Sequence, residues 1–256
     1  MNYKVEKDSK KFYFGKQEDY SKYRPTYPIE LFEFLSSKFG MKNKSIVELG
    51  AGTGKFAKLA SDYCEHLYYV EPNVDMLKKG QEYCCDKSNI TFVNASAEKT
   101  TLKKNVADIV FAVQSFHWFD KTKLKEEVSK ILKNNGLFAI VWNDWVDKNN
   151  NFSIEYFDYI SKWNTKLTGK SYQHKNEDDR KNFFRNKEYQ TYTFIHSKYY
   201  TLEMLIGLTK SLSYAPKEGD LFYTEFMSGI IEIFNKYQMD NNVCFDFHAE
   251  MYIGNV

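Results

Sequence analysis

The stretch at 45–55, which reads S-I-V-E-L-G-A-G-T-G-K, limits the possible folds of this chain more than any other part of the sequence. Its first residues are apolar and rich in β-branched side chains, which is typical of a short buried strand. Gly50, Gly52 and Gly54 follow at alternate positions, and an amphipathic pattern over 56–60 then predicts a helix. A strand that enters a helix through such a loop predicts an α/β fold, with a polar ligand held against the loop backbone and the free N–H groups of the helix start.

Two acidic residues near this loop indicate what kind of ligand it binds. Glu48 lies two residues before Gly50, and Glu71 ends the next predicted strand at 67–70. The spacing G-x-G-x-G differs from the G-x-G-x-x-G fingerprint of dinucleotide-binding folds. A carboxylate at position 48 disfavours a pyrophosphate and favours a ligand with a cationic amine. Glu71 is placed to accept hydrogen bonds from two ribose hydroxyls, but NAD proteins also carry an acid there, so the choice depends on Glu48 and the glycine spacing.

Five segments within the first 145 residues together resemble the class I S-adenosylmethionine (SAM) dependent methyltransferases. They follow one another in the order of that family: Glu48–Gly54, Val70–Leu77, Asn94–Glu98, Ala107–Val110 and Leu132–Leu137. A glycine loop alone is a weak signal, whereas the ordered set is specific. The resemblance implies SAM as the cofactor and an α/β, Rossmann-like fold. That fold has a seven-stranded, mostly parallel sheet with an antiparallel C-terminal hairpin, helices on both faces and a mainly helical cap.

The same resemblance implies which residues contact the cofactor. They are Glu48, Gly50, Ala51, Gly52, Thr53, Gly54, Glu71, Pro72, Ser96, Ala97, Glu98 and Gln114. The backbone N–H of Ala97 is expected to bond an adenine ring nitrogen, and Gln114 to border the methionine part of the cofactor. The family commonly has an acid at the position of Ser96, which accepts a hydrogen bond from the exocyclic amine of adenine. The serine found here leaves two alternatives: Glu98 takes that role, or the amine stays solvated.

The segment at 20–28, Y-S-K-Y-R-P-T-Y-P, resembles the leader of one branch of small-molecule methyltransferases, related to the trans-aconitate and type 11 enzymes. In that branch the leader folds over the bound cofactor. The resemblance implies that Tyr20 and Arg24 contact the cofactor and that Tyr23 contacts the substrate. Packing of the tyrosines against the domain is the alternative interpretation.

The segment at 114–120, Q-S-F-H-W-F-D, follows an almost unbroken apolar run at 107–113 that predicts a central parallel strand. Ligands of open α/β sheets bind at the carboxyl ends of the strands. The segment resembles the Q-x-x-H-W-F-D sequence of the same branch, which places His117 and Trp118 at the reaction chamber. His117 is therefore predicted to be the base or orienting group for a protic acceptor and Trp118 a substrate contact, with a structural role for His117 as the alternative.

The remaining pattern predicts a single methyltransferase domain in four parts. They are a cofactor-covering arm at 1–28, a SAM-binding core at 29–145, a cap insertion at 146–188, and closing hairpin strands with lid helices at 189–256. Within the core, Asn134-Asn135-Gly136 predicts a turn into a fifth strand at Leu137–Trp142. Substrate choice is expected to depend on the cap.

Composition argues against several classes of partner. With 36 Lys and Arg against 34 Asp and Glu, the net charge of +2 does not indicate binding to nucleic acid or to an anionic membrane. No apolar run has the length of a membrane span, and the first residues lack the apolar segment of a signal peptide. Four cysteines without a C-x-x-C pair indicate neither a zinc site nor a disulfide framework, so a cytoplasmic protein without a metal is expected. The oligomeric state stays open.

Together these features predict transfer of a methyl group from SAM to a small-molecule acceptor by in-line displacement. The acceptor stays open between a carboxylate, a hydroxyl and an amine; Arg180 and Arg185, two of only three arginines, are predicted to bind an acidic one. A non-catalytic SAM-binding protein whose cap is a partner surface is the alternative. An NAD-dependent oxidoreductase is disfavoured by Glu48, by the glycine spacing and by the lack of a Y-x-x-x-K pair near the fifth strand.

Overall fold

The computed structural model describes residues 23, 25–145, 150–168, 177–212 and 215–256, with only the backbone described at 165–168. Its strands are β1 (Ser45–Leu49), β2 (His66–Val70), β3 (Ile90–Val93), β4 (Ala107–Val113), β5 (Leu132–Trp145), β6 (Gln190–Tyr200) and β7 (Val243–Gly254). Its helices are α1 (Ile29–Phe39), α2 (Lys55–Ala60), α3 (Val74–Tyr83), α4 (Lys121–Ile131), α5 (Asn151–Thr168), α6 (Glu177–Phe183), α7 (Leu202–Lys210) and α8 (Tyr223–Tyr237). No helix among these described residues is both long enough and apolar enough to cross a membrane.

The seven described strands form one sheet in the order β3-β2-β1-β4-β5-β7-β6. The first five strands pair in parallel. The sheet is mostly parallel and ends in an antiparallel C-terminal pair, with helices packed around it. This strand order and pairing confirm the predicted Rossmann-like fold. Each β-α-β crossover in it returns the chain to the same end of the sheet.

The carboxyl ends of four parallel strands meet at one edge, which we call the carboxyl edge. The register pairs at these ends are Leu49 with Val70, Val70 with Val93, and Leu49 with Ala112. Consequently, the residues that continue the chain beyond the strands lie side by side at this edge: Gly50 after β1, Glu71 after β2, Asn94 after β3 and Gln114 after β4.

Alternate residues of β1 enter two apolar clusters, one on each face of the sheet. Ile46 joins a cluster with side chains of α1 and α2, whereas Val47 and Leu49 join a cluster with side chains of α4. Since successive strand residues point to opposite faces, Glu48 belongs to the face of Ile46. The sequence thus places one acidic residue among the apolar ones of β1, an interior strand of the sheet.

Strand β5 is longer than predicted. It begins at Leu132, directly after α4, whereas the sequence pattern predicts a start at Leu137 after a turn. Ala107 pairs with Leu132 and Ile109 with Leu137, so the residues between form a bulge opposite a single residue of β4. Asn135 in this bulge has a φ of 63°, as expected for an asparagine that replaces glycine at a turn.

The described residues fall into two compact units. The core unit comprises 26–143, 177–194 and 249–256; the helical unit comprises 144–145, 150–168, 195–212 and 215–248, together with Tyr23 and Pro25. Both apolar clusters of the sheet belong to the core unit. The helical unit has its own cluster, in which Tyr156, Phe226 and Phe245 are fully buried. The predicted four-part division of the domain stays a prediction.

Candidate active site at the carboxyl edge

The glycine loop between β1 and α2 is held against β2 by its backbone. The N–H groups of Gly50 and Ala51 donate to the carbonyl of Val70, over 2.9 and 3.1 Å. A Cβ atom at position 50 would lie 2.9 Å from the Cβ of Ser115, so the loop can approach the segment after β4 this closely only with glycine there. Gly52 has a φ of 60°, and a Cβ atom there would have no neighbour within 4 Å. The loop backbone at Gly52 therefore faces open space.

Glu71 holds two backbone segments at once. One carboxylate oxygen accepts the N–H of Gly52 and the other accepts the N–H of Asn73, each over 2.9 Å. The residue is only 6% exposed, and burial raises the pKa of its carboxyl group in spite of these two hydrogen bonds. Each carboxylate oxygen keeps a second lone pair, which can accept a hydrogen bond from a hydroxyl group.

Glu48 carries a carboxylate oxygen without compensation. It is 2% exposed, and its Oε2 atom is buried without a hydrogen-bond partner among the described residues. Burial, followed by the nearby charge of Glu71, holds the pKa of Glu48 well above its usual value, while the backbone N–H of Ala57 opposes that rise. Burial thus disfavours the ionised form of both acids, and a cationic group bound beside them would favour that form.

The loop that follows β3 is tied to its surroundings at several points. The side-chain amide of Asn94 donates to the carbonyl of Glu71 over 2.9 Å. Ala97 is buried, and Glu98 accepts the backbone N–H of Asp120 over 3.0 Å. The carboxylate of Glu98 is thus already engaged with the first residue before α4, which leaves only its remaining lone pairs for the predicted contact with an amine.

The segment after β4 brings Gln114 and His117 to the same edge. Gln114 has a φ of 53°, rare for a residue with a side chain, and its amide donates to the carbonyl of Asn143 over 2.7 Å. His117 lies in a 3-10 turn at Phe116–Trp118. Its ring stacks on Trp142 at 5.3 Å between centroids and contacts Trp118 at 4.8 Å. Strained backbone in such a place is commonly a feature of functional sites.

Several residues that shape this edge were not predicted. Asn73 both donates to Glu71 and caps α3, since its side chain accepts the N–H groups of Asp75 and Met76. An asparagine just before a helical pattern is a recognisable capping signal. Asn143 accepts from Gln114 and donates to the carbonyl of Thr26 over 2.9 Å. For Asn143 no local sequence signal exists, because its partners are distant in the chain.

Some predicted site residues lie elsewhere. The guanidinium of Arg180 lies 3.9 Å above the ring of Tyr252, and Arg185 donates to the carbonyl of Val256. The neighbouring Asn255 donates to the carbonyl of Gly136, which lies at the amino-terminal end of β5. These contacts place both arginines away from the carboxyl edge, so they do not join the other predicted site residues.

The predicted contacts of the leader are only partly covered by the structure. Tyr23 lies in the helical unit, where its hydroxyl donates to Glu203 over 3.2 Å and its ring fills the space above Gly207. Its predicted substrate contact stays a prediction. Tyr20 and Arg24 lie outside the described residues. Among the side chains that are described, no group of three or more His, Cys, Asp or Glu could hold a metal ion.

Replacing Gly52 with alanine is expected to lower the affinity for ligand by more than it lowers the free energy of unfolding. The positive φ costs about 1–2 kcal/mol of folding free energy with a side chain, and the methyl group would enter the open space in front of the loop. Calorimetric titration with S-adenosylhomocysteine (SAH), beside thermal unfolding, checks this. Gly219→Ala is the matched control, because Gly219 has a φ of 93° and equally open surroundings in the helical unit. Equal affinity of the two variants for SAH would contradict the role of Gly52.

Comparison with known proteins identifies the relatives of this chain. Residues 47–140 match the family model of a methyltransferase domain. A methyltransferase-like protein of Schizosaccharomyces pombe, which has not been characterised, is 31% identical over 138 residues, covering 51% of this chain and 53% of that protein. A "probable S-adenosylmethionine-dependent methyltransferase" of Saccharomyces cerevisiae is 31% identical over 125 residues, covering 47% of this chain and 43% of its own length. The chain thus spans about half the length of these relatives.

The solved structures agree on the fold. A protein of Anaeromyxobacter dehalogenans, named as a candidate type II methyltransferase, superimposes with a TM-score of 0.68 over 91% of this chain and 97% of its own. The sequence identity is 16%, so this likeness concerns the fold alone. The matched segment at 47–140 contains the glycine loop, Glu71, the loop after β3 and His117.

Proposed function

We propose that this chain, which carries a methyltransferase domain at 47–140 in the class I methyltransferase fold, binds SAM and transfers its methyl group to a small-molecule acceptor. The observation that carries the proposal is the pair of acids at the carboxyl edge. Glu48 has a buried, uncompensated carboxylate oxygen, and Glu71 is fastened to the backbone of the glycine loop. SAM offers a cationic amino group to the first and two ribose hydroxyls to the second.

The described residues fit this cofactor. Glu71 would accept the ribose hydroxyls through its free lone pairs, and Glu48 would supply negative charge for the amino group. The open space at Gly52 leaves room for a ligand against the loop backbone. Ser96, Ala97 and Glu98 would border the adenine, and Gln114 the methionine part. Bound SAM supplies an electrophilic methyl group whose leaving group is a neutral thioether, so this chain needs no nucleophile of its own.

The work of the chain is then to position the acceptor, exclude water and, for some acceptors, remove a proton. Alignment of the acceptor atom with the methyl group can contribute several kcal/mol to catalysis, roughly 7–11 kcal/mol in favourable cases. A hydroxyl or amine acceptor must also lose a proton, whereas a carboxylate needs no base. His117 lies at the carboxyl edge, and histidine is the side chain that most often serves as a general base.

Replacement of His117 by asparagine is expected to separate proton removal from binding. Turnover with a hydroxyl or amine acceptor should fall roughly 100-fold, the usual contribution of a general base, while affinity for SAH stays the same. Turnover with a carboxylate acceptor should change little. His66→Asn serves as the control, because His66 lies at the amino-terminal end of β2 and contacts Thr91. Unchanged turnover of His117→Asn with every acceptor would exclude the role of a base.

The choice of a small molecule rests on what the sequence offers. The net charge of +2 lacks the basic excess that contacts to a nucleic-acid backbone require. Screening small acids, phenols and amines with labelled SAM is the direct approach. Label transfer to one of these classes would support the proposal, and transfer only to a protein or nucleic acid would contradict it.

Calorimetric titration with SAH, SAM and NADH tests the cofactor first. Binding of SAH and SAM without NADH would support the proposal, and binding of NADH alone would overturn it. Binding of SAH without turnover on any acceptor would favour the alternative of a non-catalytic SAM-binding protein.

A further inference from the structure

Tyr69 supports the glycine loop from beneath. It lies on β2 two residues before Glu71 and is fully buried. Its hydroxyl donates to the carbonyl of Gly52 over 2.5 Å, while the N–H of Gly52 donates to Glu71 over 2.9 Å. The two peptide groups that flank the Gly52 Cα atom are therefore both held by side chains that arise from one strand end.

These two hydrogen bonds select one loop conformation. Glycine populates positive and negative φ almost equally, so the peptide groups beside Gly52 could rotate at little cost if nothing held them. The Tyr69 hydroxyl fixes the carbonyl on the side of the core, and Glu71 fixes the N–H. Burial raises the pKa of the Tyr69 hydroxyl, so it keeps its proton and stays a donor.

A glycine in helix α3 leaves space for the ring of Tyr69. A Cβ atom on Gly80, in the interior of α3, would lie 2.1 Å from the hydroxyl oxygen of Tyr69 and 2.6 Å from its Cζ atom. Glycine in a helix interior costs about 1 kcal/mol relative to alanine, so its presence is explained by the space it leaves. On the other side, a Cβ atom on Gly54 would lie 3.3 Å from the ring. The ring thus fills the space between the loop and α3.

We propose that Tyr69, whose ring fills the space that Gly80 leaves in α3, is a positioning residue. By holding the carbonyl of Gly52, it keeps the glycine loop in the conformation that binds the cofactor. The proposal rests on the proposed function for the identity of the ligand. It deepens that function, because it names Tyr69, a fully buried residue, as one that sets the conformation of the glycine loop. It requires that removal of one hydroxyl oxygen lowers affinity through the loop rather than through general loss of stability.

Tyr69→Phe tests the hydrogen bond with no other change of shape. Affinity for SAH is expected to fall about tenfold, the effect of one buried hydrogen bond. In the ligand-free protein, the amide of Gly52 should exchange with solvent faster and shift in the NMR spectrum. Tyr68→Phe is the matched control, since Tyr68 lies next in the strand, half-buried on the opposite face and in edge contact with His66. An unchanged Gly52 amide in Tyr69→Phe would overturn the proposal, whether or not the wild type binds SAH.

Gly80→Ala is expected to disturb the hydrogen bond between Tyr69 and the carbonyl of Gly52 through a change in helix α3. Its methyl group must displace the Tyr69 ring, so it should also lower SAH affinity and alter the Gly52 amide, although alanine favours the helix itself. If both variants act through one bond, the double variant should lose no more affinity than the weaker-binding single variant. Fully additive losses would overturn the proposal. Failure of the wild type to bind SAH, with the Gly52 amide still responding, would refute the proposed function alone.

Discussion

Glu71→Gln is expected to weaken binding of SAH by at least about a hundredfold, since two hydrogen bonds to a charged acceptor each contribute roughly 1.5–3 kcal/mol. Both carboxylate oxygens accept a backbone N–H, from Gly52 and from Asn73. A glutamine offers one acceptor oxygen and places its amide donors against the second N–H group. The variant therefore loses a ribose contact and loosens the glycine loop at the same time.

Calorimetric titration with SAH measures this loss. Glu82→Gln makes the same chemical change on the exposed side of α3 and should bind like the wild type. The comparison separates the position of the acid from the mere change in charge. An affinity of Glu71→Gln within a few-fold of the control would show that Glu71 holds no ligand, and it would remove the main support for the cofactor proposal.

Glu48→Gln is expected to change stability and binding in opposite directions. The ligand-free protein should become more stable at neutral pH, because a buried carboxylate oxygen without a partner is replaced by an uncharged group. The free energy of unfolding should rise by about 1–3 kcal/mol, and each kcal/mol raises Tm by roughly 2–4 °C. Affinity for SAH should fall about tenfold, since the negative charge that attracts the amino group is lost.

The pH dependence gives a second measurement on the same variant. The folded-state pKa of Glu48 lies well above the ordinary value of 4.5, so the folded protein binds more protons than the unfolded chain between these values. Stability of the wild type should therefore fall as the pH rises from about 4.5 through the raised pKa, and this fall should be smaller in Glu48→Gln. Glu71, whose pKa is also raised, contributes in the same direction in both proteins.

Thermal unfolding and titration over a range of pH test both expectations. Affinity of the wild type for SAH should rise with pH as Glu48 ionises, and Glu48→Gln should show a flatter profile. Glu65→Gln, at an exposed position just before β2, is the control. A variant Glu48→Gln that is less stable than the wild type and binds SAH equally well would mean that Glu48 is a neutral core residue.

The resemblance to the class I methyltransferases was sufficient for the seven-stranded sheet, and local patterns were sufficient for some of its strands. The bounds of β4 agree with the predicted ones, because this strand is an almost unbroken apolar run. The bulge that starts β5 early was not predictable, since it depends on pairing between Ala107 and Leu132 across two strands. A turn signal such as Asn134-Asn135-Gly136 indicates where the chain bends, and not which partner the bent residues find.

The candidate site divides in the same way. The acids at 48 and 71 could be predicted from their place at the ends of apolar strands, and the structure brings both to the carboxyl edge. The hydrogen bond between Glu98 and Asp120 could not, because it joins two loops that are distant in the chain. The substrate role predicted for Arg180 rested on the rarity of arginine in this chain and on the affinity of a guanidinium for an acidic acceptor, and the structure places Arg180 over the ring of Tyr252.

Local sequence patterns were enough to place the glycine loop between a strand and a helix, the strand at 107–113 and an acid at each of two strand ends. These features depend on residues close together in the chain, whose period and chemistry are visible without a partner. The hydrogen bond from Tyr69 to the carbonyl of Gly52, and the space that Gly80 leaves for the tyrosine ring, arise from tertiary packing. Such contacts depend on which surfaces meet when the crossover helix packs on the sheet, and close packing then admits only side chains of matching volume.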